Sequence, residues 1–280
     1  MKYLQGELPE GAKWAIEDES GELLELCLLD KEADLKREMS LDMSTKDGKR
    51  FTVNLKTREA TDYNVASALA LELPPHWEPM TGQHFKKVEL DPKSPEYQEV
   101  ANNFHKTTSY TIHKIERVQN VYLWHAFSIC RYRILSKNGE ADLGEKFLYH
   151  GTSAKSCKTI ERDRFDRSYA GRHATAFGKG VYFAVNANFS AVHYSLADEL
   201  GLKRLYVARV ITGRYTVGNS TMKAPPPRGT DPTDCFDSLV NCQVQPTIFV
   251  IFHDDQAYPE YLITFMPVLF VYKYQPTSSS

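Results

Sequence analysis

The tripeptide His150-Gly151-Thr152 places an imidazole, a glycine and a hydroxyl directly after the strand-forming residues 146–149. A residue at the end of a strand can face a cleft while the sheet holds it still. A glycine lets a ligand approach closely, so that the backbone N–H and C=O become recognition groups. The alternative is a histidine at a surface turn. This fragment alone favours that simpler interpretation, because the dipeptide is common.

Further candidate residues follow in two later segments. Tyr182 lies in "FGKGVYFA", which lacks the GxxxxGK[ST] pattern of a P-loop. Ser190 and Tyr194 are one helical turn apart in "NANFSAVHYS". An aromatic ring can stack on a planar ligand, and a hydroxyl can form a hydrogen bond with it. Each segment alone has a core or turn explanation, and their order along the chain is the more specific signal.

These residues must be positioned by a sheet and a few helices. Residues 94–104 predict a helix, because a serine can cap it, a proline suits its first position and its apolar residues share one face. A second helix is predicted over residues 120–135 and a short one over 187–196. After His150 the sequence favours strands, in "GVYFAV", "RLYVARVITG", "PTIFVIFHD" and "EYLITFMPVLFVY". The pattern is α+β and dominated by a sheet.

The domain organisation changes at "LELPPHWEPM", where three prolines interrupt any regular element. We therefore predict a small N-terminal domain over residues 1–71, with a strand at 50–55. Residues 74–280 form the second, larger domain.

The composition excludes several classes of protein. The 280 residues are 42% hydrophobic and 12% aromatic, and the net charge of −2 gives no global attraction to nucleic acid or an anionic membrane. The first residues, "MKYLQGELPEG", lack the apolar h-region that a signal peptide would have, and the apolar runs are too short to span a bilayer. Five cysteines without CxxC favour a reduced intracellular compartment with buried thiols. The expected location is the nucleus, the cytoplasm or both. No Cys/His spacing predicts a zinc site, so no metal is expected.

In order, "LPPHW", "KIERVQN", "YHGT", "FGKGVYFA", "APPP", "PTD" with "FDS", and "YPEYLITF" cover about residues 74–277. Together they resemble the catalytic domain of the poly(ADP-ribose) polymerase family, the diphtheria-toxin-like ADP-ribosyltransferases. The likeness is closest to the macro-domain-bearing, mono-ADP-ribosylating members. It implies a split antiparallel β-sheet with peripheral helices and NAD⁺ as co-substrate. It also implies transfer of ADP-ribose to protein side chains, including the enzyme's own, with release of nicotinamide.

The resemblance implies how the nicotinamide end of NAD⁺ is held. The Gly151 backbone would offer its N–H and C=O to the carboxamide, and the Ser190 hydroxyl would add a third hydrogen bond. The pyridinium ring would lie between Tyr182 and a second aromatic residue. That residue is Tyr194 or, because the spacing differs by one residue from that of similar sequences, His193.

For the adenosine end, the resemblance implies a hydrogen bond from the ribose to His150. Arg167 and Ser168 would line the adenosine pocket, and residues 169–177 would form a loop over the site. The remaining members of the implied NAD⁺ site are Thr152, Phe183 and Ala184.

The third position of the family's catalytic triad decides the product. Polymerising members carry a glutamate there, and alignment of "YPEYLITF" places Leu262 at that position. A His150–Tyr182–Leu262 triad predicts single transfer without elongation, because leucine cannot accept a proton. Glu260 lies two residues earlier on the same face of the strand, about 7 Å away. We expect Glu260 to be structural or exposed on the rim.

The chemistry of breaking the bond between nicotinamide and ribose agrees with the residue types of the implied site. Breaking the nicotinamide–ribose bond passes through an oxocarbenium-like transition state, as in glycoside hydrolysis. Nicotinamide leaves as a neutral molecule, so no general acid is required. The site must instead orient the dinucleotide, and each aromatic stack contributes roughly 0.5–1.5 kcal/mol.

Residues 1–71 weakly resemble a WWE domain through Trp14 and "GKRFTVNLKTREATDYN". This resemblance implies a small α+β fold. A second tryptophan and a terminal arginine pair are missing, so this WWE-like domain is predicted to be degenerate. Contact with ADP-ribose and docking of a partner both stay open. The stretch from Pro74 to His150 is too short for the helical regulatory domain of the DNA-damage-dependent relatives, so no dependence on DNA is expected.

Two other functions stay open at this point. One is a non-catalytic module that binds NAD or ADP-ribose through a degenerate site. The other is a carboxylate-based hydrolase that uses Asp254, Asp255 and Glu260. The intact histidine, glycine, tyrosine and serine argue against the first. Nothing in the sequence places the three carboxylates of the second around one pocket.

Overall fold

The structure is a computed structural model that describes residues 72–169 and 175–268 and, before them, the backbone of six strands. The chain divides into two compact units, Met1–Glu72 and Leu73–Ser280. In the first unit six antiparallel strands close into a barrel in sequence order. They are β1 (Lys2–Gln5), β2 (Trp14–Glu17), β3 (Leu23–Leu28), β4 (Ser40–Thr45), β5 (Arg50–Asn54) and β6 (Glu59–Asp62).

The strand predicted at 50–55 is β5. The side chain of Trp14, on which the WWE-like prediction partly rests, lies outside the described residues. The helical part of the predicted N-terminal fold lies outside them as well.

The second unit contains a sheet of nine described strands in the order β12-β13-β14-β10-β9-β11-β15-β8-β7. Neighbouring strands are antiparallel except for the parallel pair β12–β13, so the sheet is mixed rather than wholly antiparallel. The strands are β7 (Phe85–Glu89), β8 (Thr111–Asn120), β9 (Glu145–Thr152), β10 (Val181–Ala184), β11 (Lys203–Ile211), β12 (Tyr215–Val217), β13 (Ser238–Val240), β14 (Ile248–Ile251) and β15 (Ala257–Met266).

Four helices accompany this sheet, and the predicted α+β class is confirmed. They are α1 (Pro95–His105), α2 (Val121–Asn138), α3 (Ala154–Arg162) and α4 (Ala187–His193). Among the described residues, none of the helices is both long enough and apolar enough to traverse a bilayer.

The first helix forms for the reasons that its sequence indicates. The Ser94 hydroxyl accepts a hydrogen bond from the N–H of Tyr97 at 3.1 Å, and the apolar face buries Val100, Ala101 and Phe104. A serine at this position satisfies one of the N–H groups that a helix leaves without a partner at its start. The helix predicted at 120–135 is confirmed as α2.

Helix α4 is shorter than the predicted 187–196. Tyr194 already leaves the helical conformation, with φ −126°. The Ser195 hydroxyl then donates to the Ser190 carbonyl at 3.1 Å. The same carbonyl also accepts the Tyr194 N–H at 3.1 Å, so two hydrogen bonds hold it where the helix ends.

Alternate residues of the central strands enter two different cores, as the period of two in a strand requires. On β9, Leu148 joins one core and Tyr149 the other. On β15, Leu262 and Ile263 divide in the same way. Since both faces are covered at these positions, both neighbouring side chains are apolar, and the sequence does not mark which face carries a site.

The second unit also contains a buried ion pair beside an aromatic cluster. Glu260 is 2% exposed and accepts a hydrogen bond from Arg209 at 2.8 Å. The Arg209 guanidinium lies 5.7 Å from the Trp124 ring, and Trp124 packs against Trp77 at 5.9 Å and Tyr258 at 5.3 Å. Glu260 is therefore structural and is not exposed on a rim.

The four described cysteines are free thiols and differ in burial. Cys130 and Cys157 are buried, Cys235 is half-buried and Cys242 is exposed. The predicted role of a buried thiol holds for the first two only.

Candidate active site

The candidate site is a cavity of about 680 Å³ beside the point where β9 and β10 separate. These strands pair only through Tyr149 and Ala184, whereas β9 pairs with β11 along its whole length. Beyond Tyr149 the edge of β9 is therefore unpaired with β10, and His150 and Gly151 lie at this opening. A backbone freed from ladder pairing can bind a ligand, because its polar groups need partners.

The structure brings most of the sequence-predicted site residues together. Those that line the cavity are His150, Gly151, Thr152, Tyr182, Phe183, Ala184, Ser190 and Tyr194. Within the described part of the chain, the lining does not include Arg167, Ser168, His193 or Leu262.

The His150 ring is held by two aromatic neighbours and one hydrogen bond. It packs against Phe165 at 5.1 Å and Phe183 at 5.4 Å. Its Nδ1 lies 2.8 Å from the Tyr182 carbonyl oxygen. Because a carbonyl can only accept, Nδ1 carries the proton, and Nε2 of the neutral ring is an acceptor. An acceptor at this position suits a ribose hydroxyl.

Gly151 is required by the close approach of the end of α4. A Cβ at this residue would collide with the Ser190 carbonyl and would lie 2.8 Å from the Tyr194 Cβ and 2.9 Å from the Ser195 hydroxyl. Any side chain here would displace the end of α4. The glycine therefore sets the distance between the β9 edge and two other residues of the lining.

Ser190 links α4 to β9 where the sheet opens. Its side chain is buried, and its hydroxyl donates to the Tyr149 carbonyl at 3.0 Å. The same oxygen keeps acceptor capacity, and the hydroxyl can rotate toward a ligand carbonyl. Ser190 can thus both stabilise the opening and contact a bound amide.

Two tyrosines supply aromatic surface to the cavity. The Tyr182 hydroxyl donates to the Gly178 carbonyl at 2.8 Å and accepts from the Phe177 N–H at 2.9 Å, which fixes the ring. Burial raises the pKa of Tyr182, so the ring stays neutral at physiological pH. Tyr194 lines the cavity and His193 does not, so the placement favours Tyr194 as the second aromatic residue.

Arg167 and Ser168 lie on the segment that follows α3. The Arg167 guanidinium donates to the Phe252 carbonyl at 2.8 Å. The Ser168 N–H donates to the Asp166 carboxylate at 2.7 Å, and Asp166 itself lines the cavity. The loop predicted over the site falls partly on residues 170–174, which lie outside the described residues.

The carboxylates of the hydrolase hypothesis do not converge on the cavity. Asp255 binds Arg164 at 2.9 Å, and Glu260 binds Arg209. Asp254 accepts a backbone N–H at 3.3 Å. Because each carboxylate binds a different partner, the three do not form the shared site that the hydrolase hypothesis requires.

Leu262 lies away from the cavity, and sequence reasoning missed Ile248. Leu262 is 2% exposed and stands on β15 opposite Tyr206, which in turn stands opposite His150. A whole strand therefore separates Leu262 from His150. Ile248 on β14 stands opposite Ala184 and lines the cavity. The run "TIFVIF" predicted this strand, but nothing in the sequence placed it next to β10.

This combination of a split sheet with a histidine, glycine, tyrosine and serine at the split defines the class of protein. The family model of the poly(ADP-ribose) polymerase catalytic domain matches residues 94–266. The chain therefore belongs to this family.

Several similar proteins share this domain. The chain is 44% identical over 243 residues to protein mono-ADP-ribosyltransferase PARP14 of Homo sapiens, which covers 83% of this chain and 13% of that protein. It is 38% identical to PARP12 of Mus musculus, over 69% of this chain and 27% of that protein. It is 35% identical to PARP11 of Homo sapiens, over 70% of this chain and 64% of that protein. The chain thus spans less than two thirds of each of these relatives.

Proposed function

We propose that the chain is a protein mono-ADP-ribosyltransferase. It transfers ADP-ribose from NAD⁺ to protein side chains, its own included, releases nicotinamide and does not extend the product. The observation that carries this proposal is the convergence of His150, Gly151, Tyr182 and Ser190 on one cavity. The names of the similar proteins support the same activity.

In this proposal the nicotinamide end lies between β9 and α4. The Gly151 backbone and the Ser190 hydroxyl hold the carboxamide, and an analogue without that group loses buried hydrogen bonds. Tyr182 and Tyr194 flank the pyridinium ring, where an aromatic face over a cation adds attraction. The His150 Nε2 accepts a hydrogen bond from the adenosine-side ribose.

We assign the third triad position to Ile248 rather than to Leu262. Both residues are buried, but Ile248 lines the cavity with His150 and Tyr182, whereas Leu262 does not. Neither aliphatic side chain can accept a proton, so the expectation of single transfer does not depend on which of them fills the position.

The remaining features stay predictions. The proposed partners are protein substrates, and the WWE-like unit would contact ADP-ribose or a docked protein. Activity without DNA and residence in the nucleus or cytoplasm complete the proposal.

Incubation with NAD⁺ should add single ADP-ribose units to the protein. Elongation requires a ribose hydroxyl to attack a second NAD⁺, and a positioned base typically accelerates such a step 10²–10⁴-fold. Mass spectrometry of the intact protein should show a uniform mass increment with release of nicotinamide. A ladder of long polymer on a sequencing gel would contradict the proposal, and absence of any adduct would favour the non-catalytic binding module.

A matched pair of variants tests the third position. Ile248→Glu places a carboxylate in the cavity and should raise NAD⁺ hydrolysis by orienting water. Leu262→Glu buries an unpaired charge and should mainly lower stability. Nicotinamide release and thermal unfolding are measured for both variants. The reverse pattern would return the third position to Leu262.

A further inference from the structure

Arg164 has a backbone conformation that side chains rarely adopt. It follows the C-cap of α3, Asp163, and its φ is +145°. Glycine is the usual residue in such a position, because any Cβ brings strain. The sequence therefore places a long cationic side chain where the backbone favours glycine. Such strain persists only where the surroundings impose it, and strained residues concentrate at functional sites.

The contacts that Arg164 makes within the chain do not explain why an arginine occupies this strained position. Its Nη1 donates to the Asp255 carboxylate at 2.9 Å, its Nε lies 3.9 Å from the Asp163 carboxylate, and the side chain is 43% exposed. Each of these exposed ion pairs contributes less stability than the backbone strain removes. The guanidinium carries five N–H donors, and Arg164 is one of the residues that line the cavity. It therefore has donors to offer a ligand without releasing Asp255.

The position of Arg164 identifies which part of a ligand it meets. The next residue, Phe165, packs against the His150 ring at 5.1 Å. Arg164 thus lies on the α3 side of the cavity, whereas Ser190 belongs to α4 and Gly151 lies against the end of that helix. A dinucleotide with its nicotinamide beside α4 must direct its diphosphate and adenosine toward α3.

We propose that Arg164 binds the diphosphate of NAD⁺ and thereby contributes to NAD⁺ affinity, an inference that rests on the proposed function. A guanidinium can bind two phosphate oxygens at once through parallel N–H groups. The other charged residues of the lining are Lys155, which adds to the attraction, and Asp166, whose carboxylate opposes it. An anion beside Asp166 requires a nearby cation, and Arg164 supplies it.

The test compares two variants that each remove one positive charge. Arg164→Gln should weaken binding of ADP-ribose about tenfold or more, since a lost hydrogen bond to a charged group has that effect. Binding of adenosine and of nicotinamide, which carry no phosphate, should not change. The control Arg162→Gln alters an exposed residue in the last turn of α3 that does not line the cavity, and it should change none of the three. Calorimetric titration measures all the affinities.

A second variant separates a binding role from a structural one. Arg164→Gly relieves the backbone strain and should raise the melting temperature of the ligand-free protein by about 2–6 °C. The same variant should bind ADP-ribose as weakly as Arg164→Gln does. A structural arginine would give the opposite result, with a lower melting temperature and unchanged affinity.

The outcomes distinguish this inference from the proposed function. If the unaltered protein binds ADP-ribose and nicotinamide but Arg164→Gln binds ADP-ribose equally well, only the role of Arg164 is overturned. An equal loss of adenosine binding would also overturn it, because the contact would then not be to phosphate. If the unaltered protein binds neither ligand, the proposed function fails and the role of Arg164 fails with it.

Discussion

Replacing Gly151 with tryptophan should reduce NAD⁺-dependent modification by at least about 100-fold. A displacement of only about 1 Å in a reacting site can have an effect of this size. Even the first carbon of a side chain at this position meets the Ser190 carbonyl and lies 2.8 Å from the Tyr194 Cβ. The indole must push the end of α4 away from β9. This moves Ser190 away from Gly151, so that the two proposed carboxamide contacts are separated, and it displaces Tyr194 from the proposed ring pocket. Automodification with labelled NAD⁺ measures the loss.

The matched control for this variant is Gly229→Trp. A Cβ at Gly229 has no atom within 4 Å, and its backbone does not require glycine. This control should keep full activity. Circular dichroism must show that the Gly151→Trp protein is folded. A folded Gly151→Trp protein with unchanged automodification would remove Gly151 from the site.

Replacing Glu260 with alanine should lower the free energy of unfolding by about 3 kcal/mol, because it leaves a mostly buried guanidinium without its main partner. Arg209 keeps a hydrogen bond to Glu145 at 3.0 Å. Burial alone would raise the pKa of Glu145, but hydrogen bonds from Arg131 and Arg209 lower it, so Glu145 stays ionised. This second partner keeps the loss near the lower limit for a broken buried pair. Thermal unfolding should show a decrease of roughly 6–12 °C.

Two comparisons make this expectation specific to the ion pair. Glu99→Ala removes an exposed carboxylate from α1 and should change stability by less than about 0.5 kcal/mol. The double variant Arg209→Leu/Glu260→Leu should recover much of the loss, because no unpaired charge remains. A loss below about 1 kcal/mol in Glu260→Ala would mean that the pair contributes little.

The helices follow from local physical chemistry and could be predicted. A capping serine and one apolar face determine α1 without reference to distant residues. The site differs, because residues 150–152 alone favour a surface turn, and only the order of several motifs along the chain indicated a binding site. The atoms that require Gly151 belong to Ser190, Tyr194 and Ser195, about 40 residues further along the chain.

The order of strands in the sheet does not follow from neighbouring residues, so the sequence could not show that Ile248 lines the cavity and Leu262 does not. The runs that contain Ile248 and Leu262 are both apolar strands, and both side chains are apolar. Only the pairing of β14 with β10, and of β15 with β11, shows which one reaches the cavity. The backbone strain at Arg164 could not be predicted from the sequence either, because this backbone angle depends on how the end of α3 packs against the rest of the fold.

The single residue pair between β9 and β10 also bears on solubility. An unpaired strand edge at the border of a sheet is a template for aggregation with other chains. Here the unpaired stretch lies inside the sheet, the two strands stay joined at Tyr149 and Ala184, and α4 contacts Gly151. The protein can thus present backbone donors and acceptors to a small molecule without presenting an edge that would recruit further copies of itself.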